Sequence, residues 1–275
     1  MTDLLSNSSF LEIVHGRRGS FVVNRNDTYI GRALIAFGEH QEAIARLFDQ
    51  LLRPGDIAID AGANIGAFTI PMAKRVGKSS RVIAFEPQQF VFQMLCTNVV
   101  LNELTNVDAY PEALGERADR LCLGHINYEA AEVNFGGVST EDFLVQNNGT
   151  RTNLTRLDDA IDYSRIRLIK IDVEGHESKV LQGVRELIAQ TRPVLYVEND
   201  RIEASPALIQ QVLDMDYTAF WRCLRYYNPD NYFGREDIFE PGLTSFDILC
   251  FPNGMEHPLM GTEEFTDPTD HPFLR

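Results

Sequence analysis

The stretch Ile57-Ala58-Ile59-Asp60-Ala61-Gly62-Ala63-Asn64-Ile65-Gly66 constrains this chain more than any other. Three apolar residues lead into a carboxylate, a run of small residues follows, and a helical pattern begins near Ile65. That is a buried strand, a tight turn and a helix. About twenty residues past Gly66, a second apolar run, Val82-Ile83-Ala84-Phe85, closes in Glu86-Pro87. Strand, turn, helix and a second strand ending in an acid make a βαβ nucleotide-binding unit.

The turn discriminates between cofactors. A dinucleotide site needs glycines at 62, 64 and 67, so that backbone amides and a helix N-terminus meet a pyrophosphate. Asn64 and Ala67 break that spacing. Asp60 adds a negative charge beside the turn, which repels a pyrophosphate and attracts the ammonium and sulfonium of S-adenosylmethionine (SAM). Glu86 suits two ribose hydroxyls with either cofactor. The unit therefore points to SAM and to methyl transfer. A nicotinamide-dependent oxidoreductase is the competing reading, disfavoured by Asn64 and Asp60, and a non-catalytic SAM-binding module is a third.

A length of 275 residues suits one large α/β domain with embellishments. No uninterrupted apolar run is long enough to span a bilayer. Met1-Thr2-Asp3-Leu4-Leu5 lacks the basic and apolar regions of a secretory signal. Cys96, Cys122, Cys223 and Cys250 show no CxxC spacing and read as free thiols, which together predicts a cytoplasmic protein. A formal charge of −15 argues against a nucleic-acid partner. The expected partner is a small-molecule acceptor.

Phe10–Val14 and Ser20–Asn24 around Gly16-Arg17-Arg18-Gly19 predict a hairpin. Ile44, Leu47, Phe48, Leu51 and Leu52 predict a helix closed by Pro54-Gly55. Alternation then predicts strand 56–60, helix 65–76, strand 81–86, helix 89–102 and a strand near 107–111. It lapses over about 115–156, where Gly136-Gly137 and Asn147-Asn148-Gly149 suggest inserted strands and loops. Strand 167–173, helix 177–190, strand 194–198, a helix from Ser205-Pro206 and strands 216–221 and 245–251 complete the pattern. The fold class is α/β, a mostly parallel Rossmann-like sheet with helices on both faces and an N-terminal β-hairpin extension. Residues 1–52 read as a hairpin-and-helix cap, 53–252 as the SAM-binding domain, and 253–275 as an acidic, proline-containing tail.

Ligands in open parallel sheets bind outside the carboxyl ends of the strands. Those ends form an acidic rim: Asp60, Glu86, Asp172 to Glu174, and Glu198-Asn199. Strand alternation puts Lys170, Asp172 and Glu174 on one face. Glu174 and His176 are the candidate general bases, with Asp172 orienting the cofactor or Lys170. Glu177 reads as a helix-capping acid. Asp172, Glu198 and Asn199 offer oxygen ligands for a hard cation, but the expectation is a metal-free site. Trp221 to Phe233 mixes aromatic and polar side chains suited to a sugar. Tyr227 and Asn231, with Glu198 and Asn199, are its candidate acceptor contacts. Tyr29-Ile30-Gly31 and Gly38-Glu39 suggest a lid over the cofactor.

Asp60 to Gly66, Ala84-Phe85-Glu86-Pro87, Ala113-Leu114-Gly115, Leu157-Asp158-Asp159, Lys170-Ile171-Asp172-Val173-Glu174-Gly175 and Arg192-Pro193-Val194-Leu195-Tyr196-Val197-Glu198 occur in one order and at compatible spacing. From about Asp27 to Pro252 the chain resembles the FkbM-type SAM-dependent methyltransferases. The resemblance implies a class I methyltransferase sheet with an antiparallel last strand. It also implies SAM over Asp60, Gly62, Ala63, Asn64 and Ile65, with its ribose on Glu86 beside Pro87. Adenine would lie near Ala113 and Leu114. Asp172 and Glu39 join the cofactor set, Glu39 mostly on the resemblance. The family's acceptors are mostly hydroxyls of sugars or polyketide-like molecules, and some members methylate amide nitrogen. Members vary at the position of His176, so a catalytic histidine there belongs to this sequence.

Overall fold

A computed structural model describes residues 8–131, 133–137, 149–161, 165–257, 264–265, 267–269 and 271–272. Parts of the expected insertion (138–148, with Asn147 and Asn148) and of the expected tail lie outside these. The chain opens with the hairpin β1 (Leu11–His15) and β2 (Ser20–Asn24), then α1 (Ile30–Phe37) and α2 (Glu42–Leu51). β3 (Ile57–Ala61), α3 (Thr69–Val76), β4 (Val82–Phe85), α4 (Gln89–Leu101) and β5 (Val107–Tyr110) follow. β6 (Glu112–Leu114) precedes the insertion, which contributes β7 (Asp119–Leu123) and β8 (Thr150–Thr155), and α5 (Leu157–Ala160) follows it. β9 (Ile166–Ile171), α6 (Glu177–Gly183), α7 (Arg185–Thr191), β10 (Val194–Glu198), α8 (Ser205–Leu213), β11 (Tyr217–Arg225), β12 (Thr244–Pro252) and β13 (Glu264–Phe265) complete it.

Among the described residues, eight strands form one sheet in the order β13-β11-β12-β10-β9-β3-β4-β5, and β6-β8-β7 form a smaller one. From β10 to β5 all pairings are parallel, whereas β12 runs antiparallel to both β10 and β11. This is the class I methyltransferase arrangement. The crossovers from β3 go one way to β4 and the other way, later in the chain, to β9. The tips of β3, β4 and β9 therefore bound the crevice where such sheets take ligands.

The pleat divides the core in two. Ile59, Ile83, Ile169, Leu195 and Ile248 face α6, α7 and α8, while Ala58, Val82, Leu168, Val194 and Leu249 face α2 and α3. Lys170 and Tyr196 share the second face, which places a buried ammonium beneath the crevice.

Two helices differ from expectation. The segment expected to be helical from 65 turns irregularly until Thr69, because Pro71 has no N–H to donate and fits only in a first turn. The helix expected over 177–190 breaks at Val184 into α6 and α7. The break accompanies a close approach: a Cβ on Gly183 would sit 2.0 Å from the Gly115 carbonyl oxygen. Tyr29 to Glu39, expected as a lid, contains α1, with Gly38 as its left-handed cap. Among the described residues no helix is long and apolar enough to cross a membrane.

Candidate active site

β3 carries Asp60 into the interior, fully buried, with Oδ2 accepting from the Thr69 hydroxyl at 2.6 Å. Asp60 pairs in register with Lys170 of β9. Lys170 Nζ lies 3.3 Å from Asp60 Oδ1 and 3.1 Å from Asp172 Oδ2, and donates to the Gly62 carbonyl at 3.0 Å. Burial works against the ammonium, but Asp172 and Asp60 outweigh it and hold the Lys170 pKa above its usual value. Lys170 is thus a charged clamp between two strand tips. Asp60 lies under the turn rather than on the cleft wall, and its charge is compensated there. The carboxyl groups that line the cleft instead include those of Glu86, Asp172, Glu174 and Glu198.

Above the clamp, Gly62 adopts φ 78°, and a Cβ there would sit 1.7 Å from the Asp172 carbonyl oxygen. Only glycine lets the two tips pass so closely. Asn64 is also left-handed, at φ 49°, a conformation Asn tolerates better than most residues. Its N–H donates to Glu86 Oε2 at 2.9 Å, and its Oδ1 accepts from the Ile65 N–H at 2.7 Å. Gln88 N–H meets Glu86 Oε1 at 2.9 Å. Each oxygen of Glu86 therefore holds one backbone donor and keeps acceptor capacity for the cleft that the residue lines. Burial pushes the Glu86 carboxyl up to about 7 against those two donors.

Two expectations follow for a ligand diol held by this carboxylate. Glu86→Ala weakens SAM binding by about 1.5–3 kcal/mol in calorimetric titration, as charge-assisted hydrogen bonds vanish. Because the ionised form is the better acceptor, affinity rises with pH through about 7 and falls below it by up to ~10-fold per unit. A Glu86→Gln variant with the same pH slope would place the titrating group elsewhere.

At the other end, β9 stops at Ile171, and Glu174 and Gly175 turn left-handed at φ 55° and 93°. The expected alternation of Lys170, Asp172 and Glu174 therefore ends before Asp172. The carboxylates converge regardless: one oxygen each from Asp172, Glu174 and Glu198 lies within 4.8 Å of the others. Glu177 Oε1 accepts from the Val173 and Gly175 N–H groups at 3.2 and 2.9 Å, tying the turn to α6. Burial, then Asp172, Asp200 and Glu177, push Glu174 up to about 8, opposed by Arg201 at 3.8 Å. Burial and the same kind of crowding raise Glu198 well above its ordinary value, and its Oε2 is enclosed without a hydrogen-bond partner. These three oxygens could hold a hard cation, with Glu174 standing where the sequence suggested Asn199.

Gly62, Ala63, Asn64, Glu86, Pro87, Ala113 and Leu114 line one continuous cleft with Asp172, Glu174, His176 and Glu198. Tyr29 and Ile30 of the expected lid also line it, whereas Ile65, Asn199, Asn231, Tyr227 and Glu39 do not. Ile65 packs in the core against Val91 and Met94. Asn199 is buried, with its N–H on Phe246 and its carbonyl accepting from His271. Asn231 uses its amide on Asn228 and Arg235 of its own loop. Tyr227 packs at a tilt against Phe37, 5.5 Å between centroids. Glu39 accepts from Arg17 at 2.5 Å, Asn228 at 2.7 Å and Tyr232 N–H at 3.0 Å, making it a hub between hairpin and loop. The sequence reading missed His40, Phe68 and Ser245, which do line the cleft, and from the 221–233 segment it chose Tyr227 where Tyr226 lines the cleft. It also missed Asn134 and Gly136, whose segment pairs with residues 26–28 through Val133. The Gly136-Gly137 pair was the available signal there.

The model of the methyltransferase FkbM domain matches residues 60–219, more than half of the chain and every strand tip described above. The chain belongs to the FkbM methyltransferase family. It is 29% identical to "Methyltransferase 1" of Beauveria bassiana, over 53% of this chain and 66% of that one. It is 34% identical to the 31-O-demethyl-FK506 methyltransferase FkbM of Streptomyces tacrolimicus, over 49% of this chain and 62% of that one. The matches thus span less than two thirds of either relative. The solved FkbM methyltransferase of Methylobacillus flagellatus aligns over 75% of this chain and 50% of its own, at 18% identity and a TM-score of 0.48.

Proposed function

We propose that this FkbM methyltransferase methylates a hydroxyl on a sugar or natural-product small molecule. The observation that carries the reading is one cleft joining a ribose-type carboxylate, Glu86, to the cluster of Asp172, Glu174, His176 and Glu198. The residues suit SAM. The Gly62 cradle brings backbone against the ligand, Glu86 offers two aimed oxygens, and Ala113 and Leu114 give an apolar face for adenine. Bound SAM supplies an electrophilic methyl group. The protein's part is to hold the acceptor in line with that methyl, which can account for much of the barrier. In this reading residues 53–252 form the SAM-binding domain and 1–52 its cap.

An alcohol must lose a proton as it attacks. Glu174, raised to about 8, has proton affinity matched to neutral pH, and His176 stands beside it. Turnover should therefore climb with pH until about 8, because only the ionised carboxylate accepts the proton, and Glu174→Gln should flatten the slope. With a carboxylate as base, chelator leaves turnover unchanged; loss that Mg²⁺ restores would put a cation among Asp172, Glu174 and Glu198 instead. The Streptomyces relative is a methyltransferase of a 31-O-demethyl compound, which supports an oxygen acceptor. The test is methyl-labelled SAM with glycosides, polyketide alcohols and peptides, read by mass spectrometry. Label on an alcohol oxygen is expected. Label only on peptide amide nitrogen would replace the reading with N-methylation.

A further inference from the structure

His40 sits in the turn between α1 and α2, with Gly38 left-handed before it and Gln41 left-handed after it. That reversal turns the imidazole into the cleft. Its neighbour Glu39 is pinned by Arg17, Asn228 and Tyr232, so the turn is held from the hairpin and from the loop after β11. The ring packs 5.5 Å from Phe68 and 5.8 Å from Tyr226, centroid to centroid. Both of those rings also line the cleft, and Phe68 covers Lys170 Nζ at 5.7 Å. Nδ1 is enclosed by protein with no hydrogen-bond partner. A phenyl ring would meet the same packing without that cost, about 1–3 kcal/mol for an unsatisfied buried group. The remaining hydrogen-bonding capacity of the ring is therefore directed to the cleft. Burial, aided by Lys170 and opposed by Asp172, pushes its pKa down to about 4. His40 is thus neutral at physiological pH, with one donor and one acceptor nitrogen. It also precedes the segment 60–219 that the family model matches.

We propose that His40 contacts the methyl acceptor, its neutral imidazole hydrogen-bonding the acceptor and orienting the reacting hydroxyl toward the acidic cluster. This rests on the O-methylation reading. The proton leaves to Glu174 or His176, and His40 neither gains nor loses one.

The test compares wild type, His40→Phe and His40→Gln with the alcohol that the labelled panel identifies. His40→Phe should keep SAM affinity within about twofold by calorimetry, which also shows that it folds, and should lower kcat/KM by about 10- to 100-fold. His40→Gln, which restores a neutral hydrogen-bonding group, should recover most of that loss, and the pH profile should keep its shape in both variants. In ¹⁵N-histidine NMR spectra the His40 ring should stay neutral from pH 5.5 to 8. Wild-type kcat/KM in His40→Phe, with the alcohol still methylated, would overturn the inference alone. Equal loss in both variants with an altered pH profile would make His40 a proton acceptor and overturn it as well, as would an NMR midpoint near 6.5. If no alcohol is methylated, the O-methylation reading fails and the inference falls with it.

Discussion

Asn64→Val is expected to abolish SAM binding, by at least ~100-fold, while circular dichroism shows an intact fold. The residue is left-handed at φ 49°, where a non-glycine side chain costs about 1–2 kcal/mol and a β-branched one more. The turn can relieve this only by moving, and two contacts move with it. The Asn64 N–H leaves Glu86 Oε2, and the Ile65 N–H loses Asn64 Oδ1. Glu86 would then keep one of the two backbone donors that aim it, in a turn no longer shaped to the ligand. The eight-stranded sheet beneath spreads the strain, so folding survives. Asn64→Gly is the control: it keeps the backbone, and its affinity should stay within about tenfold of wild type, since only one hydrogen bond is lost. Unchanged affinity in Asn64→Val would mean that the turn does not approach the cofactor.

Glu174→Gln or His176→Ala is expected to cost about 10²–10⁴-fold in turnover, with SAM affinity nearly kept. Glu174 lies in, and His176 directly follows, a left-handed turn that Glu177 ties down through the Val173 and Gly175 N–H groups. Neither substitution removes that tie, so geometry should persist while the proton acceptor is lost. Asp172→Asn differs, because Asp172 also holds Lys170 at 3.1 Å, and it should disturb cofactor binding and turnover together. Single-turnover kinetics separate these cases. Full activity in both the Glu174 and His176 variants, together with indifference to chelator, would leave positioning alone as the source of catalysis.

The end of this cleft formed by Gly62, Asn64 and Glu86 was legible because its signals are local. A strand running into Asp60, glycine-like positions at 62 and 64, and an acid closing the next strand are adjacent in sequence and fold adjacently. The end around His40 and Tyr226 was less legible because it depends on long-range placement. Glu39 and His40 are neighbours, yet only the structure shows that Arg17 and the 228–232 loop claim Glu39 while His40 turns inward. The same shift of one residue separates Tyr226, on the cleft, from Tyr227, packed on Phe37. β11 runs on to Arg225, and where its side chains alternate after that is not written in composition. The late start of α3 at Thr69 was readable from Pro71, and the break at Val184 was not, since its contact partner Gly115 is remote in sequence.

The central claim is that SAM lies across the tips of β3, β4 and β9, on the Gly62–Asn64 turn and Glu86. Calorimetric titration of the unmodified protein with SAM, S-adenosylhomocysteine and NAD tests it most directly. Saturable one-to-one binding of SAM and S-adenosylhomocysteine is expected, with no comparable heat from NAD. Tight NAD binding with none of SAM would contradict it.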